Sequence, residues 1–216
     1  AVSCVLTPTP GDLTIARLTI HAESSDTPQI APLAVLPLRV AQDSRTLEPG
    51  SMSGILLYGF GLYDKHESNI SGDLVRQMRL PRSVHREVFD VRFDRAMFID
   101  AVDRHDPEII IGLGQSARSG KIRIERKALN LMGERGEEKQ PIRKRGPDRL
   151  FMSLAIPHDD RVRISCDAGT YVCNYSMYVI ADYCRGSDRR IGFIHLPKHA
   201  GNEAARFVGE VIALLG

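Results

Sequence analysis

The chain of 216 residues has few cysteines, no excess of charge of one sign and no long apolar run, and each shortage removes a class of function. Its four cysteines, Cys4, Cys166, Cys173 and Cys184, form no Cys-x-x-Cys pair and no metal-type spacing with histidine. Neither a metal nor an organic cofactor is indicated, and free thiols in a reducing cytosol are the simplest account. With 29 basic against 27 acidic residues the net charge is +2, so no overall field argues for nucleic acid or an anionic membrane. The basic run "IRKRGPDR" (142–149) lacks interleaved aromatics and reads as a solvated loop, so nucleic acid is not an expected partner. No stretch of 18 or more apolar residues occurs, and the first residues lack the basic, apolar, small-residue order of an export signal. A soluble, cytoplasmic protein without a membrane partner is expected.

What is present is ordinary globular composition, 43% hydrophobic, in a chain long enough to bury a substantial core. Residues 1–51 stand apart. "LTIARLTIHA" alternates like a strand, but Pro8, Pro10, Pro28, Pro32, Pro37 and Pro49 interrupt everything around it. This segment reads as an extension of unassigned fold, and the breaker-rich "EPGSMSG" (48–54) leads into an α/β domain over 52–216.

In that domain short apolar runs alternate with helical periodicities. "GILLYGF" (54–60) is a strand, "SGDLVRQMRL" (71–80) a helix with a serine cap, "HREVFDVRF" (85–93) a strand, and "DRAMFIDAVDRH" (94–105) a helix capped by Asp94. "PEIIIGLG" (107–114) is a buried strand, and the strand–helix–strand order implies right-handed parallel crossovers. "KIRIERKALN" (121–130) and "RVRISCDAG" (161–169) read as further strands. "CNYSMYVIADYC" (173–184) reads as a helix with Val172, Ser176, Val179 and Tyr183 along one side, "RIGFIHLP" (190–197) as a strand and "EAARFVGEVIALL" (203–215) as a closing helix. The expected architecture is a three-layer α/β/α sandwich around a mixed, mostly parallel sheet.

Chemistry in such a sheet gathers where strands end and helices begin. Cys173 falls at a helix start, where the helix dipole favours thiolate; His195 falls at the end of a strand; Glu125 lies within another. A thiol needs a base, an imidazole can be that base, and a carboxylate can hold the imidazole in one tautomer. Each residue alone is as readily a buried filler, a satisfied core histidine, or a solvated charge beside Arg123 and Arg126.

The blocks around these residues, "ERKALN", "AGTYVCN" and "GFIHLP", in the order Glu, Cys, His, resemble pyroglutamyl peptidase type I, also called pyrrolidone-carboxylate peptidase. The resemblance runs over residues 54–197. It implies a cysteine exopeptidase that removes N-terminal pyroglutamate from peptides through a thioester, with Cys173 as nucleophile, His195 as general base and then acid, and Glu125 orienting His195. It also implies an oxyanion donor in the Cys173 backbone N–H, with Arg135 in support. The lactam pocket would be walled by Phe60, Tyr63 and Tyr171, with Asn69 and Gln115 as its polar partners.

Three departures accompany it. The family's Q-x-G-G-R becomes "QSARS" (115–119), which moves an arginine to 118 and removes the flexible glycines. The family's proline-containing turn is replaced by "GLYD" (61–64), which predicts a looser pocket mouth. The family's helix between "SLAI" and "RVRISC" is replaced by "PHDD" (157–160), which predicts a sheet face short of cover. Either residues 1–51 or a neighbouring subunit would then cover that face, and a homo-oligomer is expected.

Overall fold

A computed structural model describes residues 54–63, 67–116, 120–134 and 136–216; the extension read over 1–51 lies outside them. Twelve elements follow one another among these residues: β1 (Ile55–Phe60), α1 (Ile70–Gln77), β2 (Val84–Phe89), α2 (Arg95–His105), β3 (Ile109–Ser116), β4 (Ile122–Glu125), β5 (Lys127–Leu129), β6 (Arg149–Phe151), β7 (Val162–Ser165), α3 (Val172–Tyr183), β8 (Arg190–Pro197) and α4 (Gly201–Leu215).

Six strands form one sheet in the order β2-β1-β3-β8-β4-β7. Neighbours are parallel except at β8 and β4, which run antiparallel. β1 and β3 are near-continuous apolar runs because they are buried on both faces, as parallel central strands must be. Alternate side chains serve opposite layers. Ile55 and Leu57 of β1 join Leu74 of α1 and Phe207 and Val208 of α4 on one side. Leu56, Tyr58 and Phe60 join Phe98 of α2 and Tyr178 and Val179 of α3 on the other. The three-layer expectation is met.

α1 packs on β1 backbone to backbone. A Cβ on Gly59 would stand 2.5 Å from the Ser71 carbonyl oxygen, and one on Gly72 only 2.2 Å from that of Phe60, so neither position tolerates a side chain. The cap of α1 is Asn69 and not the expected serine: its Oδ1 accepts from Ser71 N at 3.2 Å. Asn69 outcompetes Ser71 because its longer side chain reaches forward from an extended backbone, while Ser71 is drawn inward to accept from Phe60 N.

Three further expectations are corrected. The stretch 121–130 is not one strand. It breaks at Arg126, whose backbone turns to Ser165 O and Met152 N, and β5 pairs with β6 in a separate two-stranded sheet. The helix α3 is not one-sided: Val172 and all of Asn174–Asp182 are buried between the sheet, α2 and the β5–β6 ribbon, while Tyr183 is 39% exposed. Helices lie on both sheet faces, so the missing cover is confined to the outermost strand, where Ile164 of β7 is 44% exposed.

Two polar anchors fix α3. Asn174 accepts from Leu129 N at 2.8 Å and donates to the carbonyls of Leu129 and Leu131, tying β5 to the helix start. At the far end buried Asp182 accepts from Arg143 at 2.8 Å and pairs with Arg95.

Candidate active site

His195 sits near the end of β8 and Glu125 at the end of β4. Because these strands are antiparallel, Arg123 stands opposite His195 and Glu125 opposite Phe193. Glu125 is thus a diagonal neighbour of His195 on the same face, within reach of a long side chain. Its Oε1 lies 2.8 Å from His195 Nδ1, with both side chains buried. Phe193 meets the imidazole edge to face at 5.1 Å.

Burial alone would raise the Glu125 carboxyl. The hydrogen bond from His195, the neighbouring Ser165 hydroxyl and Arg123 outweigh it and hold the group down at about 2. A carboxylate accepts only, so it selects the tautomer in which Nδ1 carries the proton and Nε2 is a free base.

Cys173 is in the first turn of α3. The chain enters that turn through Asp167, which accepts from Gly169 N at 3.1 Å, and Gly169 at φ +77°, a left-handed conformation suited to glycine. Tyr171 caps the helix without a side-chain hydrogen bond, so its side chain does not occupy the first-turn N–H groups that an incoming oxygen would use. Sulfur and imidazole converge on Gly114 of β3: a Cβ there would lie 2.8 Å from Cys173 Sγ and 2.9 Å from His195 Cδ2, the ring atom bonded to Nε2.

The sequence expectation of a thiolate favoured by the helix start is corrected. Burial, reinforced by the Glu125 charge, pushes the Cys173 thiol up to about 12, against the opposing effects of its backbone hydrogen bond and Arg123. Cys173 is half-buried in the cavity wall, where the cost of an isolated anion exceeds what one helix end returns. The resting residue is a neutral thiol, and forming its thiolate requires a proton acceptor at the sulfur.

A cavity of about 710 Å³ opens in front of the sulfur. It is lined by Cys173 and by all five residues expected at the pocket: Phe60, Tyr63, Asn69, Gln115 and Tyr171. Tyr63 and Tyr171 face each other with ring centroids 5.1 Å apart, and Phe93 props Tyr171 from behind at 5.5 Å. Burial and the hydrogen bond with Tyr63 push the Tyr171 phenol up, so this wall is uncharged at neutral pH.

Gln115 Oε1 accepts from Ile70 N at 3.1 Å. The Asn69 amide is engaged at both ends, by Ser71 and by the Gly61 carbonyl at 2.8 Å, so it shapes the cavity wall. Val91, Lys198, His199 and Glu203 also line the cavity and were not marked by the sequence reading. Arg135 lies outside the described residues. Among the described residues no group of three His, Cys, Asp or Glu is placed to hold a metal ion, and no helix is long and apolar enough to cross a membrane.

Sequence reading passed over Arg123, which donates from Nε to Glu125 Oε1 at 3.1 Å and from Nη1 to Ser116 Oγ at 3.0 Å. The available signal was its i, i+2 spacing to Glu125, which places both side chains on one face of a strand.

Residues 53–204 match the family model described as pyroglutamyl peptidase. The chain belongs to the pyroglutamyl peptidase family. It is 33% identical over 167 residues to the pyrrolidone-carboxylate peptidase of Vibrio vulnificus strain YJ016, covering 68% of this chain and 79% of that one. It is 30% identical over 146 residues to the enzyme of that name from Vibrio parahaemolyticus, covering 61% of this chain and 66% of the relative. Among solved structures, pyroglutamyl peptidase I of Bacillus amyloliquefaciens superposes with a TM-score of 0.64 at 26% identity, over 75% of this chain and 97% of its own. A mutant pyrrolidone carboxyl peptidase from Pyrococcus furiosus shares the fold, with a TM-score of 0.63 at 21% identity and coverage of 75% and 95%.

Proposed function

We propose that this family member is a cysteine exopeptidase that removes N-terminal pyroglutamate from peptides. The observation that carries the reading is the Glu125–His195 pair at 2.8 Å, set behind a cavity lined by Cys173 and the aromatic residues Phe60, Tyr63 and Tyr171. A lactam ring has apolar faces and a polar edge, which suits a slot between aromatic rings with an amide such as Gln115 at its margin.

His195 Nε2 takes the thiol proton as Cys173 Sγ attacks the pyroglutamyl carbonyl, forming the carbon–sulfur bond. Open N–H groups at the start of α3 receive the oxyanion. The tetrahedral intermediate collapses, the carbon–nitrogen bond breaks, and His195 returns the proton to the departing amine. Water, deprotonated by His195, then cleaves the thioester, and Cys173 recovers its proton. Glu125 stays ionised throughout and stabilises the imidazolium. Work by a thiol nucleophile suits a reducing compartment, the cytoplasm being the one we favour.

The test is hydrolysis of a chromogenic pyroglutamyl amide, with the acyl group trapped on Cys173 and located by peptide mass spectrometry after acid quench. Cys173→Ser should abolish turnover while the fold is kept, because a hydroxyl is far less nucleophilic at neutral pH. No hydrolysis by wild-type enzyme at high concentration, or full activity in Cys173→Ser, overturns the reading.

A further inference from the structure

The guanidinium of Arg123 occupies a place that the proposed chemistry has not used. Its side chain is 14% exposed and reaches two elements at once, the Glu125 carboxylate on its own strand and the Ser116 hydroxyl at the end of β3, where the cavity begins. It shares one oxygen with the histidine: Oε1 of Glu125 accepts from His195 Nδ1 at 2.8 Å and from Arg123 Nε at 3.1 Å. Two donors on one oxygen fix the carboxylate rotamer. They also divide its basicity, since an acceptor already bonded to a guanidinium binds an imidazolium less strongly.

We propose that Arg123 is a positioning residue for the Glu125–His195 pair, holding the shared carboxylate in place and countering its charge where His195 and Cys173 meet. The inference rests on the reading of Cys173, His195 and Glu125 given above. The electrostatics at the sulfur run the same way: the Glu125 charge opposes thiolate formation, and Arg123 opposes that effect. One cation thus offsets part of the cost that the orienting carboxylate imposes on the nucleophile.

The groups packed around His195 that bear on its titration are Glu125 and Arg123 on β4 and Cys173 on α3. Arg163 of β7 pairs with Arg123 in the ladder but its side chain is exposed, so solvent screens it. Removing the positive charge of Arg123 raises the pKa of each neighbouring acid, so both His195 and the Cys173 thiol should titrate at higher pH.

The experiment compares R123Q and R123K with the wild-type protein. Two readouts are followed against pH: kcat/KM for a pyroglutamyl amide, and the rate of Cys173 alkylation by iodoacetamide, counted by peptide mass spectrometry. In R123Q the acid limb of kcat/KM should move up by about one pH unit and kcat/KM at neutral pH should fall about tenfold, with the alkylation rate at neutral pH falling by a similar factor. R123K keeps the charge but loses the fork, so its pH midpoints should stay within a few tenths of wild type while kcat falls.

A lowered melting temperature with unmoved pH profiles in R123Q reduces Arg123 to a structural ion pair and overturns the proposal. So does an R123K variant whose kcat is unchanged, or one whose midpoints shift as far as those of R123Q. If R123Q does not fold, R123M, which keeps the aliphatic stem, is read in its place. If pyroglutamyl amides prove not to be substrates, the alkylation profile still tests Arg123, so the two failures are distinguishable.

Discussion

Glu125 and His195 are joined by a 2.8 Å bond although they are not cross-strand partners: the ladder sets Glu125 against Phe193 and His195 against Arg123. The antiparallel register of β4 on β8 sets this diagonal, and it leaves Arg123 placed to bind the same carboxylate oxygen.

That shared oxygen sets the outcome of Glu125→Gln. Two donors point at the Oε1 position, so the amide should place its oxygen there and still accept from Nδ1, preserving the tautomer. What is lost is the charge that stabilises imidazolium. Turnover should fall about 10- to 100-fold, against about 10³-fold or more for His195→Ala, which removes the base. Steady-state kinetics on both variants check this, and the reverse ranking would mean that the roles are misassigned.

Gly114 gives a steric test of the sulfur–imidazole meeting. In Gly114→Ala the new methyl would stand 2.8 Å from Cys173 Sγ and 2.9 Å from both His195 Cδ2 and Phe193 Cζ. The sulfur can swing aside more easily than the packed rings, so the fold should survive while the thiol leaves its reactive position. A drop in kcat of about 100-fold with a melting temperature lowered by only a few degrees is expected. Unchanged kcat would show that the sulfur does not work from this position.

Stability at acid pH should depend on Glu125. Its folded carboxyl is held at about 2 against an ordinary value of 4.5. A depressed pKa stabilises the fold fully above the unfolded value and loses that contribution as pH falls from about 4.5 toward 2. Between pH 6 and pH 3 the loss should be on the order of 2 kcal/mol for this buried group, the remainder following below pH 3. Urea unfolding at pH 6 and pH 3 measures it, and Glu125→Gln should flatten the difference; an equally steep loss in that variant would place the acid sensitivity elsewhere.

The sheet was legible because its central strands are short apolar runs, "ILLYGF" and "EIIIGLG", bounded by polar residues and punctuated by helical periodicity. The break at Arg126 was not, since β4 and β5 form one alternating stretch and are separated by groups far along the chain, Ser165, Met152 and Asn174. Asn69 was hidden as a cap because a nearer serine satisfied the same pattern. The site was legible as three residue types in order, and its pocket through family likeness. Arg123 was missed because a charge among charges reads as solvated; its spacing to Glu125 puts the two on one face, and the β4–β8 register shows that this face meets His195.

Tyr63 and Asn69 line the same cavity yet should fail differently when truncated. The Tyr63 ring is 37% exposed at the mouth and packs at a tilt against Tyr171, while its own segment is held by Gly61, which donates its N–H to Phe89 O at 2.8 Å. Removing the ring takes away apolar contact felt equally by bound substrate and transition state. Tyr63→Ala should therefore raise KM about tenfold with kcat nearly unchanged and little effect on stability. Asn69 carries the cap of α1 and the bond to the Gly61 carbonyl, so Asn69→Ala should lower stability by about 1 to 2 kcal/mol and, by loosening the Gly61–Tyr63 segment, raise KM as well. Thermal unfolding and steady-state kinetics on the pair separate the two roles. A kcat loss in Tyr63→Ala with KM unchanged would remove Tyr63 from the substrate wall, and an Asn69→Ala enzyme of wild-type stability with raised KM would show that its amide binds the ligand directly.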